Sequence, residues 1–207
     1  MMACSHHCKG IALHLREGIL PRCLILETKG RKDSKGSVIV GINPGRSKPA
    51  EREFYRSNGQ TYEQVVAYWQ QKINLHPYYM KLRILVNQLG LNGPILWSEL
   101  VKCENLSSES GLPPLQTFRN CTQAYLQKEL HEVPNSWAAI AVGKESYKAL
   151  AYIFANRAVI GVPHPTGSYG QFHKLFDAEK RLLPEVKAQT RDIVDGKLRE
   201  AVWLSTK

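Results

Sequence analysis

Residues 37–47 read SVIVGINPGRS: a serine and three apolar β-formers run into Gly41-Ile42-Asn43-Pro44-Gly45 and then an arginine. The segment from Val38 to Gly41 has the composition and length of a buried strand. Pro44 fixes its own φ, donates no N–H and steers Asn43 away from the α region, while the glycines permit angles that other residues avoid. Such a turn ends the strand and holds one side chain still. Gly, Asn and Pro are also ordinary turn residues, so the rest of the chain decides whether the asparagine is there for chemistry.

Outward from this strand, GRKDSKGS before it is a polar, turn-rich loop, and KPAEREFYRSNGQ after it reads as irregular. In TYEQVVAYWQQKI, Tyr62, Val65, Val66 and Trp69 fall at helical spacing behind Thr61 as N-cap. A second helix fits YYMKLRILVNQLG, closed by Gly90. PILWSELVKC reads as the second strand and PLQTFRNCTQAYLQKELHEV as a helix; SWAAIAVG is a third, fully buried strand with KESYKALAYIF as its helix. RAVIGVPHPTGSYG is a fourth strand ending in a proline-containing turn, with FDAEKRLL and PEVKAQTRDIVDGKLREAVWLS helical behind it.

Short apolar strands alternating with helices imply βαβ units and a parallel sheet covered on both faces. The expectation is an α/β protein, three-layer α/β/α, with a four-stranded parallel core sheet. In such sheets ligands bind beyond the carboxyl ends of the strands, which places GINPG and HPTGS on one rim. The 207 residues suit a single domain, with an N-terminal cysteine-containing segment over 1–36, a core over 37–183 and a C-terminal helix over 184–207.

Lys and Arg number 28 against 18 Asp and Glu, a formal charge of +10 that suits a polyanionic partner, nucleic acid first. No apolar run approaches the roughly 18 residues of a membrane span, and the N-terminus lacks an apolar signal-peptide core. The expected setting is the cytoplasm, with no membrane partner. Five cysteines, at positions 4, 8, 23, 103 and 121, are an odd number for a disulfide framework, so metal or cluster ligation competes with plain buried thiols. Neither GxGxxG after the first strand nor a GxxxxGK[ST] loop is present, which weighs against a nucleotide-binding enzyme.

Three motifs occur in order. Gly41-Ile42-Asn43-Pro44-Gly45 follows the first core strand, Leu100-Val101-Lys102-Cys103 follows the second, and His164-Pro165-Thr166-Gly167-Ser168 follows the last. Together they resemble the uracil-DNA glycosylase superfamily, closest to its iron-sulfur branch with a mismatch-specific type of first motif, over about Cys8 to Leu183. The resemblance implies a monofunctional DNA glycosylase of base-excision repair, acting as a monomer on DNA that holds a deaminated or mismatched base, uracil first. The alternative is a non-catalytic iron-sulfur nucleic-acid-binding protein of the same fold.

In that chemistry the base leaves from an oxocarbenium-like sugar, so water must be held under the anomeric carbon and charge stabilised on the departing base. The resemblance gives Asn43 the water, through its side-chain carbonyl, and His164 the base carbonyl; Gly41, Ile42, Pro44 and Gly45 shape the turn. Thr166, Gly167 and Ser168 offer hydroxyls and open backbone to phosphates, and Tyr169 a wedge. The base-reading asparagine of the iron-sulfur branch is Glu99 here. An ionised carboxylate accepts but cannot donate, so Glu99 takes a ring N–H and repels a neighbouring carbonyl. It selects a deaminated purine or modified pyrimidine instead, or it is a surface residue and Ser98 faces the pocket. Tyr55 lies closest to the branch's stacking aromatic, with Phe54 as its neighbour.

A [4Fe–4S] cluster takes four thiolates. Cys103 and Cys121 match the branch's second pair; its N-terminal Cys-x-x-Cys is missing, and Cys8 with Cys23 is the set chosen to complete it. Cys4 with Cys8 competes, as does zinc on the same thiolates aided by His6 or His7.

Overall fold

The computed structural model describes Cys8 and residues 25–28, 33–45, 47–58, 61–104 and 112–206. Among these residues six strands form one mixed sheet in the order β1-β3-β2-β4-β5-β6: β1 (Ile25–Glu27), β2 (Ser37–Gly41), β3 (Ile95–Glu99), β4 (Ala138–Val142), β5 (Val159–Val162) and β6 (Ala201–Trp203). β1 runs antiparallel to β3, and the remaining neighbours pair parallel, with Ile39 of β2 opposite Trp97 on one side and Ile140 on the other. The α/β class stands, but the sheet is wider than four strands and not purely parallel. Two short edge strands account for the difference. Three residues each give too little periodicity to separate them from the loop and helix around them.

Both faces of the sheet are buried, as near-continuous apolar strands require. Val38 and Val40 point into a core with Leu126, Leu130 and Leu150; Ile39 between them points into the opposite core with Leu82, Leu85 and Val186. The first core is closed by α4 (Leu115–Cys121), which passes through a π-turn at Thr122–Leu126 into α5 (Gln127–His131), and by α6 (Lys144–Ile153). The second is closed by α3 (Pro77–Gln88) and α7 (Pro184–Val194). Among the described residues no helix is long and apolar enough to cross a membrane.

Three expectations are corrected. KPAEREFYRSNGQ contains α1 (Pro49–Asn58), whose helical face rests on the buried pair Glu51 and Tyr55 rather than on aliphatic residues. FDAEKRLL is not a helix: the Asp177 carboxylate accepts from the backbone N–H of Glu179 and of Arg181, and Phe176 bridges Leu182 across the turn. A side chain that captures backbone donors in this way competes with the helix for them. The C-terminal helix stops at Val194; Gly196 follows at φ 81°, and Ala201–Trp203 then pairs with β5 instead of extending the helix. α2 (Tyr62–Lys72) starts where expected, with the Thr61 side chain accepting from Gln64 N–H, and Gly90 closes α3 at φ 85°.

Candidate functional site

The order of the strands reverses around β2: the chain steps from β2 to β3 on one side and then to β4 on the other. The carboxyl ends at such a switch point cannot be covered by a single crossover, and they leave a crevice. Here the crevice is a cavity of about 620 Å³. Gly41 at the end of β2, Glu99 at the end of β3, Val142 at the end of β4 and His164 just past β5 all line it.

The Gly-Ile-Asn-Pro-Gly turn forms one wall. It is held by β3, whose continuation donates from Leu100 N–H to Gly41 O and from Val101 N–H to Ile42 O, both at 2.9 Å. Asn43 lines the cavity half-buried, with its Nδ2 donating to Pro44 O at 3.3 Å, so the turn engages the amide nitrogen and Oδ1 is not used in that bond. Ile42, Pro44 and Gly45 line the same wall.

His164 lines the same cavity. Thr166 N–H donates to His164 Nδ1 at 3.3 Å, which puts the ring proton on Nε2. Gly167 makes that possible: a Cβ there would lie 3.2 Å from Nδ1. Burial lowers the His164 pKa below its ordinary 6.5, so the imidazole is neutral near pH 7 and acts as an Nε2–H donor. The turn itself is pinned by Ser168 Oγ donating to His164 O at 2.6 Å and by Lys81 Nζ donating to Pro165 O at 2.9 Å. Thr166 lines the main cavity, whereas Gly167, Ser168 and Tyr169 line a neighbouring hollow of about 480 Å³ beyond His164, and Tyr169 is fully exposed.

Glu99, and not Ser98, faces the cavity. Ser98 points to the opposite side of the strand, where it donates to Glu129 Oε2 at 2.6 Å and accepts from Lys102 Nζ at 2.6 Å. Lys102 is 1% exposed and also pairs with Glu129 Oε2 at 2.6 Å. The lysine of the middle motif is therefore a buried strut between β3 and α5.

Tyr55 is not a lining residue. It is buried, its hydroxyl donates to Glu51 Oε1 at 3.2 Å, and its ring packs on Phe54 and Tyr68. The aromatic lining comes instead from Tyr68 and Trp69 on α2 and from Tyr78 and Tyr79 on α3. The Tyr78 ring lies 5.3 Å from that of His164. Nothing in the sequence separates Tyr78 from an ordinary core aromatic, because helical spacing alone does not show which face of α3 meets the sheet ends.

Cys103 and Cys121 share a small buried cluster with Val101, and Cys8 packs against it. Asn120 Nδ2 lies 3.9 Å from Cys8 Sγ. Cys23, like Cys4, His6 and His7, lies outside the described residues. Among the described residues no group of three or more His, Cys, Asp and Glu side chains is arranged to hold a metal ion.

No known family model matches this sequence, and no curated protein matches it.

Proposed function

We propose that this chain is a monofunctional DNA glycosylase that hydrolyses the N-glycosidic bond of a deaminated or mismatched base in base-excision repair. The observation that carries the reading is that Asn43 and His164, from turns far apart in the chain, line one cavity at the carboxyl ends of a largely parallel sheet. Asn43 Oδ1 is an acceptor suited to orienting a water, and His164 Nε2–H is a donor suited to the carbonyl of a departing base. Donation from a neutral imidazole becomes stronger as negative charge grows on that carbonyl, so the interaction favours the transition state over the bound substrate.

DNA is the proposed partner, taken by a monomer in the cytoplasm. The formal charge of +10, with Lys48 and Lys72 exposed on the cavity rim, supports a polyanionic ligand. A base reaches a cavity beneath the sheet rim only by leaving the stack.

Cys8, Cys103 and Cys121, with Cys23, form the ligand set proposed for a [4Fe–4S] cluster, with zinc as the alternative. The donors are right in type, and Cys8 packs against the buried cluster that holds Cys103 and Cys121. Such a cluster would tie the N-terminal segment to α4, away from the bond being broken. Iron and zinc analysis of the purified protein separates the two metals.

The test of function is incubation with oligonucleotides that each carry one uracil, hypoxanthine, xanthine or mismatch, followed by alkaline cleavage at abasic sites. Cleavage at one of these positions, lost in Asn43→Ala, is the expected result. Tight DNA binding with no strand cleavage on any substrate would leave the non-catalytic reading in its place.

A further inference from the structure

We propose that Tyr78 is a specificity-determining residue: its hydroxyl and the Glu99 carboxylate form one composite reader that accepts from a ring N–H and donates to the carbonyl beside it. That N–H/C=O pair is the lactam edge that appears when cytosine becomes uracil and when adenine becomes hypoxanthine. The inference rests on the glycosylase reading and deepens it.

Gly41 shows how the two groups are brought together. A Cβ at this position would strike Glu99 Oε2 and lie 3.1 Å from the Tyr78 hydroxyl, so both polar atoms occupy the space that the missing side chain leaves at the end of β2. Glu99 arrives from the neighbouring strand and Tyr78 from the first turn of α3. The Tyr78 ring is fixed edge-on against Tyr79 at 5.1 Å and tilted against His164 at 5.3 Å.

The chemistry follows from what each group can do alone. A carboxylate accepts a ring N–H but repels an adjacent carbonyl, whereas a phenol can donate to that carbonyl. An amide side chain would provide both functions at once; here they come from two residues. The phenol keeps its proton, because burial first and the Glu99 charge second raise the Tyr78 pKa well above the ordinary 10. A ligand N–H that engages Glu99 leaves the phenol hydrogen for the neighbouring carbonyl; uracil and xanthine have a second carbonyl on the other flank of that N–H for His164 Nε2–H, and hypoxanthine has none. Cytosine and adenine reverse this pattern. Their ring nitrogen turns a lone pair toward Glu99, and a site built on buried polar groups rejects such a mismatch strongly. The cavity volume of about 620 Å³ lies within the range of small-molecule sites.

The test compares wild type with Tyr78→Phe, which keeps the ring and its packing. Single-turnover release is measured from oligonucleotides bearing uracil, 4-thiouracil, cytosine, hypoxanthine or adenine. Binding is measured in parallel with 2′-fluoroarabino versions of the same nucleotides, which resist hydrolysis. Wild type is expected to favour uracil over cytosine and hypoxanthine over adenine. Tyr78→Phe should slow uracil release about tenfold, the scale of one hydrogen bond, and 4-thiouracil release much less, since sulfur is a poor acceptor. Equal losses on uracil and 4-thiouracil, or none on either, overturn the reader. If wild type releases nothing yet the binding preference persists and Tyr78→Phe removes it, the reader stands and the hydrolase reading falls. If neither assay shows a base preference, both fall.

Discussion

Thr166 donates its backbone N–H to His164 Nδ1 at 3.3 Å, and this bond leaves the proton of the neutral ring on Nε2. Burial favours the neutral ring and lowers its pKa. The contact suits that form, because an imidazolium carries a proton on Nδ1 and would lose the acceptor. The folded-state pKa is therefore depressed below the unfolded value, and the unfolded chain binds the extra proton first as pH falls. The contribution of His164 to stability is full above its ordinary 6.5 and declines below it. The acid limb of the cleavage rate should lie below 6.5 for the same reason, and a pH–rate profile checks it. A limb above 6.5 that disappears in His164→Asn would show a ring that is cationic at rest.

Gly41→Ala tests the shared space at the end of β2. No left-handed angle is recorded at Gly41, so the backbone tolerates alanine. The added methyl group meets the ends of two side chains, Glu99 and Tyr78, rather than backbone. The melting temperature should change by only a few degrees, on the scale of about 1 kcal/mol. Discrimination between uracil and cytosine should fall much further. Loss of the folded state would instead show that the strand itself has no room.

Lys102 and Glu129 make a buried ion pair whose value depends on both partners being present. Removing one leaves a buried charge, and Lys102→Met should cost about 3–5 kcal/mol in urea denaturation. Glu129 Oε1 has no hydrogen-bond partner among the described residues, so the lysine on Oε2 is the charge that offsets the carboxylate. Adding Glu129→Leu and Ser98→Ala replaces the remaining polar groups with apolar ones and should return most of the loss. If the triple variant is no more stable than Lys102→Met, the pair is not the strut between β3 and α5.

The two catalytic candidates were legible in the sequence because Gly, Pro and Asn each have backbone chemistry that survives without context, and Asn43 and His164 sit in such turns. Glu99 was legible as a position and not as an orientation. A strand alternates its faces, and only the register of β3 against β2 shows that Ser98 turns to Lys102 while Glu99 turns to the cavity. Tyr78 was illegible. Three elements, β2, β3 and α3, bring Gly41, Glu99 and Tyr78 together, and no local pattern encodes their meeting. Tyr55 misled for the reverse reason, since its offset from Asn43 suited a stacking role but α1 turns its hydroxyl to Glu51.

Lys48 and Lys72 are exposed at the rim, and Lys72 Nζ stands 5.7 Å from the centre of the Tyr68 ring. If both contact phosphate, the double variant Lys48→Ala, Lys72→Ala should flatten the dependence of log Kd on log salt by roughly 0.9 per lysine lost. Affinity should fall equally for damaged and undamaged duplex, because phosphate contacts position and do not read bases. An unchanged slope would move the DNA path away from this rim.

Asn43→Ala bears on the chemistry itself. The Asn43 amide nitrogen is bonded to Pro44 O, so the side chain cannot rotate without losing that bond, and Oδ1 is held in one direction. If Asn43 orients the attacking water, that water approaches the anomeric carbon already placed, and removal of one such positioned group costs about 10²-fold or more in rate. Asn43→Ala should therefore lower single-turnover cleavage by that factor and leave affinity for damaged DNA nearly unchanged, because a water-orienting group does little in the ground state. His164→Ala should cause a similar loss. If both act on one transition state, the double variant loses less than the product of the two. Asn43→Asp sharpens the argument: a carboxylate also orients water, but its charge changes the field at a cationic sugar, so its rate should not simply repeat that of alanine. Full activity in Asn43→Ala would reduce Gly41-Ile42-Asn43-Pro44-Gly45 to a turn that ends a strand, and the cavity would need another source for its nucleophile.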